Sequence, residues 1–273
     1  MNRPMSPAPG AAPARGPLRA RARALVVLLY AAVSAVFFVL VQLPPMLLTR
    51  SGDFSIWLAR RLWSPAGLWL AGTRVEVATP RRFPVGPAIF ASNHESVLDI
   101  WILFLTIPRN LRFVAKRELF RIPVFGWYLW MAKYVLVDRR NHAQAVAALR
   151  RAGEIIRSGI SLMVFPEGTR SRDGRIQPFK KGPFVVAMEA GVPVVPVAIV
   201  GASALNPKGR LEIVPGRVRV GFGEPVDPRR FADRDALLRE VRRRIIALHR
   251  SLGGLGGDER DAVAARGLEG TSR

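Results

Sequence analysis

The stretch that decides the fold is Pro87-Ala88-Ile89-Phe90-Ala91-Ser92-Asn93-His94-Glu95-Ser96-Val97-Leu98-Asp99, in which a short apolar run gives way to polar residues. The apolar run is typical of a buried strand, and the polar residues predict a strand-to-helix turn. A neutral imidazole accepts a proton near neutral pH, and a carboxylate beside it fixes the tautomer and stabilises the imidazolium. His94 and Asp99 are therefore a candidate acid–base pair, although this spacing alone often arises by chance.

The spacing also constrains where the pair lies. Two positions five residues apart on one helix point about 140° apart around its axis, so their side chains do not meet. We therefore expect His94 to precede the regular helix, where Asp99 reaches it.

The composition of the 273-residue chain excludes several classes of site. Cysteine is absent, so the chain has no disulfide framework, no thiolate nucleophile and no zinc–thiolate site. The formal net charge is +22. That charge predicts attraction to anionic lipid surfaces, nucleic acid or phosphorylated substrates.

The N-terminal third predicts membrane association. Residues 1–23, rich in Pro, Ala and Gly and then in Arg, are expected to be a disordered basic tail. Residues 24–43 are apolar except for Ser34 and Gln42, and this length spans a bilayer. A signal peptide is the competing interpretation. The stretch exceeds a usual signal-peptide apolar region and no convincing cleavage site follows, which favours an uncleaved membrane segment.

A second apolar stretch covers residues 54–70 and carries three tryptophans around Arg60-Arg61. This composition suits the headgroup boundary of a membrane, and a buried amphipathic helix is the alternative. Pro44-Pro45 is expected to end the first helix. Residues 24–72 would then form either a membrane-embedded hairpin or one span with an interfacial helix. Arginines flank the first stretch on both sides, so loop charge does not decide its orientation.

From residue 73 to residue 252 the pattern predicts an α/β domain with a mixed sheet flanked by helices. Strands are expected at 75–77, 88–91, 112–115, 134–137, 161–165 and 194–200, and a hairpin at 211–214 and 218–220. Helices are expected from Asn141 to Gly159, over 182–190 and over 234–252. Residues 253–273 are expected to be a disordered tail.

Two further strand ends carry candidate binding residues. Lys116 and Arg117 follow one apolar run, and Phe165-Pro166-Glu167-Gly168-Thr169-Arg170-Ser171-Arg172 follows another. An α/β sheet presents its ligands at the carboxyl ends of its strands. Glycine permits close backbone approach there, and arginine grips a phosphate with two hydrogen bonds.

Four blocks in this order resemble the glycerolipid acyltransferase family, which includes 1-acylglycerol-3-phosphate acyltransferases. The resemblance covers about residues 73 to 225. The blocks are His-x4-Asp at residues 93–99, Lys-Arg-Glu-Leu at 116–119, Phe-Pro-Glu-Gly-Thr-Arg at 165–170 and Val-Pro-Val-Val-Pro-Val at 192–197.

The resemblance implies a role for each matching residue. His94 would be the general base that takes a proton from the acceptor hydroxyl, and Asp99 would orient it, so no enzyme serine is needed. The substrate-binding residues would be Lys116, Arg117, Glu167, Gly168, Thr169 and Arg170, with the three basic residues facing the phosphate.

The expected reaction moves a fatty acyl group from acyl-CoA or acyl-carrier protein to the sn-2 hydroxyl of 1-acylglycerol-3-phosphate, making phosphatidic acid. Lyso-ornithine lipid and glycerol-3-phosphate are alternative acceptors. The partners would be membrane lipids and the donor, without nucleic acid. Because both donors are cytoplasmic, the catalytic domain is expected on the cytoplasmic face of the cell inner membrane.

No metal site and no cofactor other than the donor co-substrate are predicted, since no cluster has ligand spacing and no Gly-x4-Gly-Lys loop occurs. A basic, non-catalytic membrane or nucleic-acid binding protein is the alternative from another class. The aromatics do not alternate with basic residues, which argues against nucleic acid. The intact His94–Asp99 pair argues against a mere tether. His142 and His249 receive no role, since no acid stands at useful spacing from His249.

Overall fold

The structure is a computed structural model that describes residues 16–49, 52–122, 125–137 and 142–257. It begins with one long apolar helix, α1 (Pro17–Thr49). By length and composition α1 is able to cross a membrane, and only 24% of its most apolar window is buried inside the protein. Its remaining apolar side chains face outward, which fits the predicted membrane-associating segment.

Two expectations about this helix are wrong. Residues 17–23 belong to α1 rather than to a disordered tail, because the α/β domain holds this turn: Ile213 N donates to Ala20 O at 3.1 Å, and Ala20 is buried. The helix also continues through Pro44 and Pro45 to Thr49. Proline removes a backbone donor but does not by itself stop an apolar helix that packs on its neighbours. Residues 1–15 lie outside the described residues.

The second apolar stretch forms α2 (Asp53–Leu58), a π-helical turn (Ala59–Trp63) and α3 (Ser64–Ala71). Trp57 and Trp69 are exposed, whereas Trp63 points inward, where its indole N–H donates to Ser34 Oγ of α1 at 2.8 Å. Both the interfacial and the buried interpretation therefore apply in part, since one face of the stretch packs against α1 and the other exposes two tryptophans.

The predicted mixed sheet is confirmed. In the described part of the chain it has seven strands in the order β1-β7-β6-β2-β5-β3-β4. All neighbouring pairs are parallel except β6 and β7, which are antiparallel. The strands are β1 (Thr73–Val77), β2 (Ile89–Ser92), β3 (Leu111–Lys116), β4 (Val135–Val137), β5 (Ser161–Val164), β6 (Val194–Val200) and β7 (Gly216–Phe222).

Helices cover both faces of the sheet, and alternate strand residues enter different cores. Phe90 of β2 packs in the core with α1, α3 and α4 (Asp99–Thr106), whereas Ile89 packs in the core on the opposite face. The helices that build this second core are α6 (His142–Arg157), α7 (Gly182–Ala190) and α9 (Arg234–Ser251). Two short helices, α5 (Phe125–Met131) and α8 (Ala202–Leu205), complete the described set. Asn141, the predicted start of α6, lies outside the described residues.

Two further expectations fail near the C-terminal end. Residues 211–214 form no strand, because Ile213 N bonds to α1 and Val214 N bonds to Leu205 O at 2.9 Å; β7 pairs instead with β1 and β6. The expected disordered tail is wrong over residues 253–257, which pack on α9 and form a bridge between Gly257 and Ile176. Residues 258–273 lie outside the described residues.

The topology decides where the site lies. Strands β6, β2, β5 and β3 are consecutive parallel neighbours, so their carboxyl ends meet at one edge of the sheet. The chain segments that follow these strands carry Lys208 after β6, His94 after β2, Glu167 after β5 and Arg117 after β3.

Candidate active site

His94 and Asp99 are in direct contact. Helix α4 begins at Asp99, and His94 lies in the loop before it, so the five-residue spacing does not separate the side chains. His94 Nδ1 is 2.8 Å from Asp99 Oδ2. Asp99 is fully buried, whereas 18% of the His94 side chain is exposed. Because Nδ1 donates to the carboxylate, Nε2 keeps its lone pair and is available as a base.

A single oxygen of Asp99 accepts hydrogen bonds from three donors. Besides His94 Nδ1, Oδ2 accepts the backbone N–H groups of Glu95 at 2.7 Å and Ser96 at 2.9 Å. Asp99 also stands in the first turn of α4, where the helix dipole favours a negative charge. These interactions stabilise a buried carboxylate that water does not reach.

The imidazole ring is fixed on one face by Phe165, which follows β5. The two ring centroids are 3.9 Å apart and the planes differ by 13°. Stacking leaves the ring one orientation, with Nδ1 toward Asp99. The His-x4-Asp and Phe-Pro-Glu-Gly-Thr-Arg blocks, predicted separately, therefore form one site.

Asn93 continues the pairing of β2 with β6 beyond the last strand residue. Its side-chain amide donates to Ile199 O and its Oδ1 accepts Ile199 N, both at 2.8 Å. The loop that carries His94 is thereby fixed to the neighbouring strand. Sequence reasoning gave Asn93 no role of its own.

Glu167 joins the same loop from the other side. Its Oε1 accepts His94 N at 2.9 Å and its Oε2 accepts Gln177 N at 2.8 Å. Burial raises the pKa of Glu167 to about 7, and these two donors offset only part of that effect. Gly168 follows with φ of 74° and donates its N–H to Phe165 O at 2.9 Å, a turn that favours glycine.

Thr169 and Arg170 contact the ammonium group of Lys208, which was not predicted as a site residue. Lys208 Nζ donates to Thr169 Oγ1 at 2.9 Å and to Arg170 O at 2.7 Å. Lys208 lies just after α8, in the loop beyond β6, 38 positions from Arg170. No local signal links residues so far apart, because only the order of the strands brings them together.

The other two predicted phosphate residues are less well defined. Lys116 ends β3, and its side chain lies outside the described part of the structure. Arg117 begins the 3₁₀ turn Arg117–Arg121 and is exposed. The backbone lies at the same sheet edge as His94, but within the described residues no hydrogen bond or ion pair joins Arg117 to the rest of the site.

Two buried polar side chains, Ser96 and His249, make contacts next to the pair. The Ser96 Oγ accepts Leu98 N at 3.2 Å and donates to Asn206 Oδ1 at 3.2 Å, which is a turn role. His249 has no acid at useful spacing along the sequence, but the fold brings one to it. Glu95 Oε1 is 3.2 Å from His249 Nε2, across 154 sequence positions.

An apolar cavity of about 150 Å³ lies between the N-terminal helices and the sheet. Phe113 of β3 is part of its wall and lies 6.2 Å from Phe165, the ring that stacks on His94. Other lining residues come from α1, the π-helical turn, α4 and α5, and include Ala35, Val39, Trp63, Phe104 and Leu129.

A mixed α/β sheet with a largely buried His–Asp pair at the carboxyl ends of its strands is compatible with acyl transfer. The acyltransferase family model matches residues 74–200. A crystal structure of the 1-acyl-sn-glycerophosphate (LPA) acyltransferase PlsC from Thermotoga maritima is similar with a TM-score of 0.74 and 31% identity, over 86% of this chain and 95% of that one. The chain belongs to the acyltransferase family.

Curated proteins similar to this chain are named 1-acyl-sn-glycerol-3-phosphate acyltransferases. The mouse (Mus musculus) 1-acyl-sn-glycerol-3-phosphate acyltransferase alpha is 32% identical over 198 residues, which are 70% of each chain. The chloroplastic 1-acyl-sn-glycerol-3-phosphate acyltransferase BAT2 from Brassica napus is 42% identical over 141 residues, or 51% of this chain. The chain covers 41% of that plant protein, less than half of its length.

Proposed function

We propose that the protein transfers a fatty acyl group from acyl-CoA or acyl-carrier protein to the sn-2 hydroxyl of a 1-acylglycerol-3-phosphate, forming phosphatidic acid for phospholipid synthesis. The observation that carries the proposal is the His94–Asp99 pair, which leaves Nε2 available at the sheet edge. The names of the mouse, plant and Thermotoga maritima relatives support this acceptor.

The chemistry needs one base and no enzyme nucleophile. His94 Nε2 takes the proton of the acceptor hydroxyl as that oxygen attacks the thioester carbonyl. Asp99 stabilises the imidazolium that forms. The carbon–sulfur bond then breaks, the ester is released, and His94 returns the proton to the leaving thiolate.

The acceptor phosphate would bind to the basic residues around the Glu167–Arg170 turn. Arg170 offers a two-pronged donor, with Lys116 and Arg117 on the neighbouring loop and Glu167, Gly168 and Thr169 shaping the turn. Lys208 belongs to this group as well. An ammonium has three donors; Thr169 and Arg170 accept two of them, and within the described residues no carboxylate neutralises Lys208.

The apolar cavity is the proposed site for an acyl chain. It is lined almost entirely by apolar atoms and begins two aromatic rings away from His94. A chain in this cavity would leave its carboxyl-derived end near the base, and burial of each methylene group would contribute to binding.

Membrane association is supported by α1, many of whose apolar side chains are exposed outside the protein core. We place the protein at the cell inner membrane with its catalytic domain on the cytoplasmic face, since the thioester donors are cytoplasmic. The basic chain, with its net charge of +22, would be attracted to anionic lipid and to an anionic donor.

The test is acylation by the purified protein with a panel of acceptors, each combined with acyl-CoA or acyl-carrier protein, and with products identified by mass. We expect saturable formation of phosphatidic acid from 1-acylglycerol-3-phosphate. Preference for lyso-ornithine lipid or glycerol-3-phosphate would overturn the acceptor. Absence of any acyl transfer, with binding to membranes or nucleic acid alone, would overturn the activity.

A further inference from the structure

The segment after α9 closes on the imidazole of His249. Gly254 N donates to His249 O at 2.8 Å, and Gly256 N donates to His249 Nδ1 at 3.0 Å. A Cβ added to Gly254 would overlap the Cε1, Nδ1 and Nε2 atoms of the His249 ring, so only glycine lets the segment pack this closely. Residues 252–257, which we call the C-terminal segment, therefore determine where this ring lies.

The hydrogen bonds also determine the tautomer of His249. Because Gly256 N–H donates to Nδ1, this nitrogen is an acceptor and the ring hydrogen resides on Nε2. Nε2 then donates to Glu95 Oε1 at 3.2 Å, while Glu95 Oε2 accepts Ser203 N at 3.0 Å. Both oxygens of Glu95 are occupied, which fixes the side chain of the residue next to His94.

Glu95 in turn holds the catalytic carboxylate. Its N–H donates to Asp99 Oδ2, the same oxygen that accepts His94 Nδ1. Among the described residues no donor reaches the buried Asp99 Oδ1. The orientation of the carboxylate therefore depends on the hydrogen bonds to Oδ2, and a displaced Glu95 backbone would weaken one of the three.

The C-terminal segment also contacts the second site loop. Gly256 O accepts Ile176 N at 2.8 Å, and the next residue, Gln177, donates its N–H to Glu167. Glu167 accepts the backbone N–H of His94. The same segment thus reaches both loops of the proposed acid–base site, one directly through Ile176 and the other indirectly through His249 and Glu95.

We propose that Glu95 and His249 are positioning residues, through which the C-terminal segment holds Asp99 and His94 in productive geometry. The side chains of His249 and Glu95 are only 1% and 3% exposed. Burial of such a pair costs desolvation energy and is a poor means of stabilising a fold, whereas it does fix orientation. The proposal rests on the acyl transfer proposed above.

The experiment uses the full chain with two variants and a control. Gly254→Ala pushes on the His249 ring from outside the site. Glu95→Gln leaves one acceptor oxygen for two N–H donors, so it loses either the Ser203 or the His249 bond. Leu255→Ala removes an exposed side chain from the same segment and is the matched control.

We expect kcat to fall about 10- to 100-fold in both variants, with little change in KM for the acceptor and none in Leu255→Ala. The low-field proton resonance of the His94–Asp99 hydrogen bond, assigned by its loss in His94→Ala, should shift or broaden. A wild-type kcat would overturn the proposal. So would activity lost only in proportion to the unfolded fraction, with the resonance unmoved. An inactive wild type would overturn the proposed function instead. The positioning would then be tested by the resonance alone, which should still shift or broaden in Gly254→Ala and Glu95→Gln.

Discussion

The proposed acid–base pair, His94 and Asp99, depends on contacts made by individual atoms over very different sequence distances. His94 and Asp99 are five positions apart and their neighbours Glu95 and Ser96 supply the backbone donors, so a local motif was enough to predict the pair. His249 is 154 positions from Glu95, and neither residue is unusual in its own segment. Packing of α9 against β6 brings them together, which no local pattern indicates.

Asp99→Asn tests the charge of the carboxylate separately from its shape. The amide oxygen still accepts the donors at Oδ2, but a neutral group no longer stabilises the imidazolium. We expect kcat to fall about 10⁴-fold, the size of the effect of the same substitution in a Ser-His-Asp triad. Steady-state acylation measures it, with Asp235→Asn on the exposed face as the control. Retention of more than a tenth of the activity would argue against this role.

Glu167→Gln tests the buried carboxyl through the pH dependence of stability. The folded-state pKa of about 7 exceeds the ordinary value of 4.5, so the folded protein binds the extra proton and this group's contribution is lost as pH rises from 4.5 through 7. The wild type should lose about 3 kcal/mol of unfolding free energy relative to the variant over that window. Thermal or denaturant unfolding at several pH values measures the difference. A wild-type–variant difference that stays constant with pH would contradict the assignment.

Lys208→Met tests the added cation of the phosphate site. Loss of one charge-assisted hydrogen bond should raise KM for the phosphorylated acceptor about tenfold while kcat changes little. Arg210→Met removes the same charge from an exposed side chain two residues away and is the control. Equal effects of the two variants would mean that only overall charge matters.

At the scale of whole elements, the sequence patterns predicted the strands well. They failed for the end of α1 at Pro44-Pro45 and for the hairpin at residues 211–214 and 218–220. Six predicted strands correspond to β1 to β6 because each is a short apolar run bounded by turn residues. The predicted hairpin of residues 211–214 and 218–220 is wrong because β7 pairs with β6 and β1, and the turn residues between the two segments do not specify a partner. Pro44-Pro45 failed as a helix end because the apolar surface of α1 continues beyond it.

Helix α1 also contributes to the proposed acyl-chain site, through Ala35, Val39 and Gln42 in the cavity wall. Ala35→Leu adds volume to this wall and should shift preference toward shorter acyl donors. Ala32→Leu makes the same change on the exposed side of the same helix and should leave the preference unchanged. Competition between acyl-CoA donors of different length measures the shift. If Ala35→Leu leaves the preference for donor chain length unchanged, the cavity does not select the acyl chain.

At the scale of the whole molecule, the membrane-associating helices and the sheet share one core. Ala24 and Val27 of α1 pack in the same cluster as Phe90, Leu98 and Phe104 around the start of α4. The proposed base, the basic loop and the apolar cavity therefore lie on a single body beside a surface suited to lipid. This arrangement explains how a water-soluble thioester and a membrane lipid could meet at one imidazole.

The most direct test of the central claim compares wild type with His94→Ala in membranes or micelles, with acyl-CoA and 1-acylglycerol-3-phosphate as substrates. We predict saturable formation of phosphatidic acid by the wild type and its loss in His94→Ala, with an unchanged circular dichroism spectrum. Full activity of a folded His94→Ala protein would contradict the account, because the proposed base would then play no part in the reaction.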